Sequence, residues 1–136
     1  MIISPLPPAL KAHLQNLGLM APAMCFQNSL MAVMTTLEAG NLSYVLGWVT
    51  HPSDGKRTQH AWLKDEALYY DPTLEPQGQH LESKYEVVHE LSTIEVTLVL
   101  KKRFGDDKVK RMMKGKEPWW CLCLLPNGNF GFVDTP

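Results

Sequence analysis

The stretch Gln59-His-Ala-Trp-Leu-Lys-Asp-Glu-Ala-Leu-Tyr-Tyr-Asp71 reads as two short strands, 59–64 and 67–70, split by Asp65-Glu66. A hairpin centred on Asp65-Glu66 sets His60 directly opposite Asp71 and Trp62 opposite Tyr69, with Cβ atoms about 4.5–5.5 Å apart on one face. A carboxylate at that range accepts a hydrogen bond from one imidazole nitrogen and leaves the other to serve a nucleophile. The expectation turns on register. Asp-Glu is not a favoured two-residue loop, and one extra residue in the turn carries Asp71 to the opposite face.

On the N-terminal side, 42–50 (LSYVLGWVT) is β-rich and His51-Pro-Ser-Asp-Gly55 has turn chemistry. Two helices are predicted before it. A short one covers 9–17, with Pro8 in its first turn and Gly18 as its stop. The other begins near Cys25 and runs to about Glu38, with Phe26, Leu30, Val33, Met34 and Leu37 at the spacings of one buried face. Gly40 and Asn41 end it. Residues 1–8, with Pro5, Pro7 and Pro8, form an irregular arm.

On the C-terminal side, 72–82 is a loop and 85–91 a strand with imperfect alternation. Residues 94–100 (IEVTLVL) read as the clearest strand in the chain, and 106–114 as a short basic helix. Strands 119–125 and 130–133 flank Pro126-Asn-Gly-Asn129, where Asn-Gly supplies the positive φ angles of a tight hairpin. No internal repeat or low-complexity segment interrupts this order. It predicts an α+β domain over 1–136, one helix carrying Cys25 packed on an antiparallel sheet.

Composition agrees with one globular domain. At 136 residues, 45% hydrophobic and 20% charged, the chain can bury a core, and collagen-like, coiled-coil and wholly disordered classes are excluded. No apolar run approaches the roughly 18 residues of a membrane span, and MIISPLPPALKAHL lacks both a basic n-region and a continuous apolar h-region. The expectation is a soluble cytoplasmic protein with no membrane partner; delivery as an effector is compatible with the same features. Cys25, Cys121 and Cys123 make no disulfide framework, which points to a reducing compartment.

Charge is segregated. Between Lys101 and Lys116 stand eight basic residues against Asp106 and Asp107, a net +6 in a chain of formal net charge −1. Such a segment fits either an anionic partner or merely a solvated strand end and helix face. Nucleic-acid binding wants interleaved aromatics for stacking, and only Phe104 lies in the stretch.

Cys25 opens a predicted helix, where unpaired amides and the macrodipole favour the thiolate over the thiol. The plainer alternative is a buried free cysteine acting as a small hydrophobe. His60 and Asp71 tip the balance toward a catalytic thiol. Cys121 and Cys123, two apart on one strand face, are half of a metal site at most; His80 and His89 do not complete it, so the two cysteines read as core packing and no metal or cofactor is called for. His13 and His51 read as surface residues. Asn28, one helical turn from Cys25, points either into a cleft or to solvent.

Cys25-Phe-Gln-Asn-Ser29 opening a helix, then Gln59-His-Ala-Trp62, then Tyr69-Tyr-Asp-Pro-Thr73, resembles the transglutaminase-like branch of the papain-like superfamily. The resemblance covers about a third of the chain, and His-Ala-Trp followed shortly by Asp-Pro-Thr is its more specific part. It implies a papain-like, transglutaminase-like core with Cys25 as nucleophile, His60 as general base and then acid, and Asp71 orienting His60. The implied chemistry is attack on a peptide or glutamine amide through a thioester, released to water or to an amine: a protease, deamidase or transglutaminase acting on a protein or peptide. Papain-like proteases often carry Gln six residues before the Cys. Leu19 stands there, Gln15 is the nearest upstream glutamine, and the second oxyanion donor is unassigned. The alternative is a catalytically silent papain-like module that engages a macromolecular partner through the basic 101–116 segment.

Overall fold

A computed structural model describes residues 1–36, 42–114 and 121–133. The strands β1 (Leu42–Thr50), β2 (Arg57–Asp65), β3 (Leu68–Tyr70) and β4 (Lys84–Leu91) form one antiparallel sheet in the order β3-β2-β1-β4. Helices α1 (Pro8–Asn16) and α2 (Cys25–Thr35) precede it, and α3 (Thr93–Phe104) and α4 (Asp106–Met113) follow. A hairpin of β5 (Cys121–Leu124) and β6 (Phe130–Val133) makes a second, two-stranded sheet. The class is α+β.

Local chemistry accounts for most of these elements. Pro8 starts α1 where its missing N–H costs nothing, and Gly18 leaves the helix at φ +68°. Gly55 takes φ +68° in the turn that returns β1 to β2, and Gly128 takes +86° in the β5–β6 turn. The expected end of α2 at 37–41, Trp119 and Trp120 of the predicted strand 119–125, and the basic residue Lys116 lie outside the described residues.

The sheet is covered on both faces. Tyr44, Leu46, Ala61, Leu63, Tyr70 and Leu91 pack with the helices through Leu14, Leu30, Val33, Met34, Val96 and Leu100. On the opposite face Val45 and Trp62 lie under Ile3, Tyr69 and Tyr85. Ile3 reaches that face because the N-terminal arm joins the sheet edge: it bridges to Tyr69, and Ser4 N–H donates to the Tyr69 carbonyl at 2.7 Å. The arm predicted over 1–8 therefore ends at Pro7 and is pinned rather than loose.

Two expectations are overturned. Residues 94–100 are not a strand but the body of α3. Ser92 accepts from Glu95 N–H while the Glu95 carboxylate accepts from Ser92 N–H, both at 3.2 Å, a capping box that commits the chain to helix. Val96 and Leu100, four apart, then bury on the core side, while Ile94 and Leu98 stay exposed. The hairpin register also differs. Leu63 pairs with Tyr70, Lys64 with Tyr69 and Asp65 with Leu68, so neither His60–Asp71 nor Trp62–Tyr69 are direct partners. The turn is Glu66-Ala67, with Glu66 at φ +55°. Moving the centre by one residue shifts every partner by two, and an even shift preserves the face. Asp71 thus stays on the side of His60.

Candidate active site

His60 sits on β2, buried, its ring 5.9 Å from that of Trp62 in a stacked arrangement and 6.1 Å from that of Tyr85. Just beyond β3, Asp71 is fully buried. The imidazole Nε2 lies 2.7 Å from Asp71 Oδ2. That carboxylate is saturated: Oδ2 also accepts from the Tyr85 hydroxyl at 2.6 Å, and Oδ1 from the Thr73 and Leu74 amides at 3.0 Å each. Burial pushes the Asp71 carboxyl up, but His60, Tyr85 and the Leu74 amide prevail and hold it below its ordinary value. Burial likewise disfavours a charged His60, yet the hydrogen bonds and charges of Asp71 and Cys25 push its pKa from 6.5 to about 10. Burial, followed by the Asp71 charge and hydrogen bond, drives the Tyr85 hydroxyl well above 10, which keeps it a neutral donor.

Cys25 is the first residue of α2, and among the described residues no side chain caps that N-terminus. Its sulfur and the His60 ring open onto one cleft of about 410 Å³, whose walls include Phe26, His51, Thr73 and Gln79. With Nε2 committed to Asp71, Nδ1 is the ring nitrogen left for the thiol. Ala23, two residues ahead of Cys25, holds φ +62°, a left-handed conformation that costs a non-glycine residue on the order of 1–2 kcal/mol.

Side-chain hydrogen bonds join the three elements. Ser29 Oγ of α2 donates to the Ala61 carbonyl of β2 at 3.2 Å, fastening the cysteine helix to the histidine strand. Asn28 Nδ2 donates to both Ala21 O and Thr73 Oγ1 at 2.9 Å, tying the same helix to the turn before it and to the aspartate loop. Asn28 is therefore neither solvated nor a cleft group; it is buried.

No protein-family model, curated protein or solved structure matches this chain.

The site thus brings together Cys25, His60 and Asp71, all three singled out in the sequence. Tyr85 was missed there, because a strand read alone does not reveal which loop its side chains face. His51 lines the cleft rather than standing apart from it, and its Nε2 lies 3.1 Å from Thr58 Oγ1. His13 bonds Thr35 Oγ1 at 2.9 Å. Leu19 is core and Gln15 is exposed on α1, away from the cleft. Cys123 is buried and Cys121 half-buried, and burial raises both thiol pKa values. Among the described residues no group of three His, Cys, Asp or Glu could hold a metal ion. The basic segment falls on the end of α3 and on α4, where Lys101 pairs with Asp106 at 3.7 Å. None of the described helices is long and apolar enough to cross a membrane.

Proposed function

We propose that this domain is a cysteine-dependent hydrolase or acyltransferase, acting on a peptide or glutamine amide of a protein substrate, on a papain-like, transglutaminase-like core. The observation that carries the reading is His60 held by Asp71 at 2.7 Å in the cleft that Cys25 opens onto. In the first step the Cys25 sulfur, its proton held on the His60 ring that Asp71 keeps charged, attacks the amide carbon. The negative oxygen of the tetrahedral intermediate meets the Cys25 amide at the α2 N-terminus, a single donor of this kind typically being worth about 2.7–4 kcal/mol. The imidazolium then returns its proton to the departing amine, leaving a thioester on Cys25. Water or an amine, deprotonated by His60, attacks that thioester and restores the thiol. Asp71 keeps the ring oriented and stabilises its charge throughout.

A nucleophilic thiol accompanied by two further free cysteines needs a reducing compartment, and the cytoplasm is the one we propose. The test is selective labelling of the folded protein. Iodoacetamide should modify Cys25 well before Cys121 or Cys123, and Cys25→Ala should abolish turnover while the domain stays folded. Equal labelling of the three thiols would overturn the proposal.

A further inference from the structure

One wall of the Cys25 cleft is Gln59, and the same side chain walls a second cavity of about 350 Å³. Its carboxamide is fixed by two hydrogen bonds to one residue: Nε2 donates to Leu124 O and Oε1 accepts from Leu124 N–H, both at 3.0 Å. So clamped, it cannot swing into either space. Beyond it the lining is apolar: Trp48, Val88, Leu124, Leu125 and Pro126. Val88 is the extra residue of a β-bulge, since Leu46 pairs with His89 and Gly47 with Val87. It is 42% exposed. The Arg57 guanidinium, paired with Glu86 at 3.1 Å, lies over the Trp48 ring at 4.2 Å.

A concavity of this size is within the range of small-ligand sites. Because Gln59 walls both this cavity and the cleft onto which Cys25 opens, a side chain of the molecule whose amide lies at Cys25 is within reach of it. We propose that the second cavity is a substrate subsite for a bulky apolar side chain, so that the favoured substrate is a peptide carrying an aliphatic or aromatic residue beside the attacked amide. This inference rests on Cys25 being the nucleophile.

The experiment compares iodoacetamide with N-(2-phenylethyl)iodoacetamide on the full chain. Modification of each cysteine is followed by mass spectrometry, and rates are normalised to the reaction of each reagent with N-acetylcysteine. The phenylethyl reagent should modify Cys25 about tenfold faster or more, the scale of burying one aromatic side chain. The advantage should be missing at Cys121 and Cys123, and should fall towards one in Val88→Asp and in Leu125→Asp. A ratio near one at Cys25 of the unaltered protein, or a ratio that both variants leave intact, overturns the subsite while sparing the nucleophile. Should Cys25 label no faster than the other thiols with iodoacetamide itself, the nucleophile fails and the subsite with it. Dimerisation in solution that Val88→Asp abolishes would assign the cavity to a second copy of this chain and likewise overturn the proposal.

Discussion

Asp71 governs the chemistry of the site because everything around it donates. Four donors converge on one buried carboxylate, two of them backbone amides that cannot turn away. Exchanging Asp71→Asn removes the charge that favours imidazolium while leaving the burial that opposes it. The His60 titration midpoint, followed by NMR of the ring, should drop from about 10 towards or below the ordinary 6.5. Loss of the Tyr85 hydroxyl acts differently. Tyr85→Phe leaves the carboxylate one donor short, and hydrogen bonds to charged groups are worth about 1.5–3 kcal/mol, so urea unfolding should show a loss of that size. Cys25 should remain the fastest-labelling thiol in that variant. The His60–Asp71 pair was legible because only the parity of the hairpin mattered: a turn displaced by one residue still leaves the two on one face. Tyr85 was not, since its meeting with Asp71 depends on β4 lying next to β1 and across the sheet from β3.

At the level of elements, α3 shows where pattern misleads. Ile94-Glu-Val-Thr-Leu-Val-Leu100 is rich in β-branched residues and alternates well enough to pass for a strand. Two end signals decide against that: the Ser92–Glu95 box at the start, and Gly105 at φ +82° just past Phe104. Both were present in the sequence, and both are local, so weighing them before periodicity would have found the helix. Ser92→Ala should lower stability by about 1 kcal/mol, measured by chemical denaturation, with the sheet intact. Gly47 is the opposite case, dictated wholly by tertiary packing. A Cβ there would stand 2.8 Å from Trp62 Cη2 and collide with the Glu86 carbonyl of the neighbouring strand. Gly47→Ala should therefore cost about 1–3 kcal/mol or more and disturb the ring that backs His60, visible as a changed near-ultraviolet circular dichroism signal. No reading of LSYVLGWVT in isolation supplies that constraint.

For the whole molecule, the buried His60–Asp71 pair makes stability depend on pH. A folded-state His60 pKa above its unfolded value contributes stability in full below about 6.5, and that contribution disappears as pH rises through about 10. Asp71 is shifted the other way, so its share is present above about 3.8 and is lost as acid protonates it below that value. The thermal midpoint should be highest between those limits and decline on the alkaline side, and His60→Gln should flatten that decline. The hairpin β5–β6 adds a consequence of another kind. Besides the core packing of Leu122 and Leu124, it is held to the main sheet by side chains reaching its backbone, Tyr44 to Leu122, Gln59 to Leu124 and His89 to Gly128, with no ladder between the two sheets among the described residues. Having its own hydrogen-bond ladder, it should open before β1 and β2 unzip, exposing Leu122 and Leu124 as it does so. Its amide protons should exchange with deuterium sooner than those of the central strands, and the roof it places over Trp48 would breathe independently of the platform beneath.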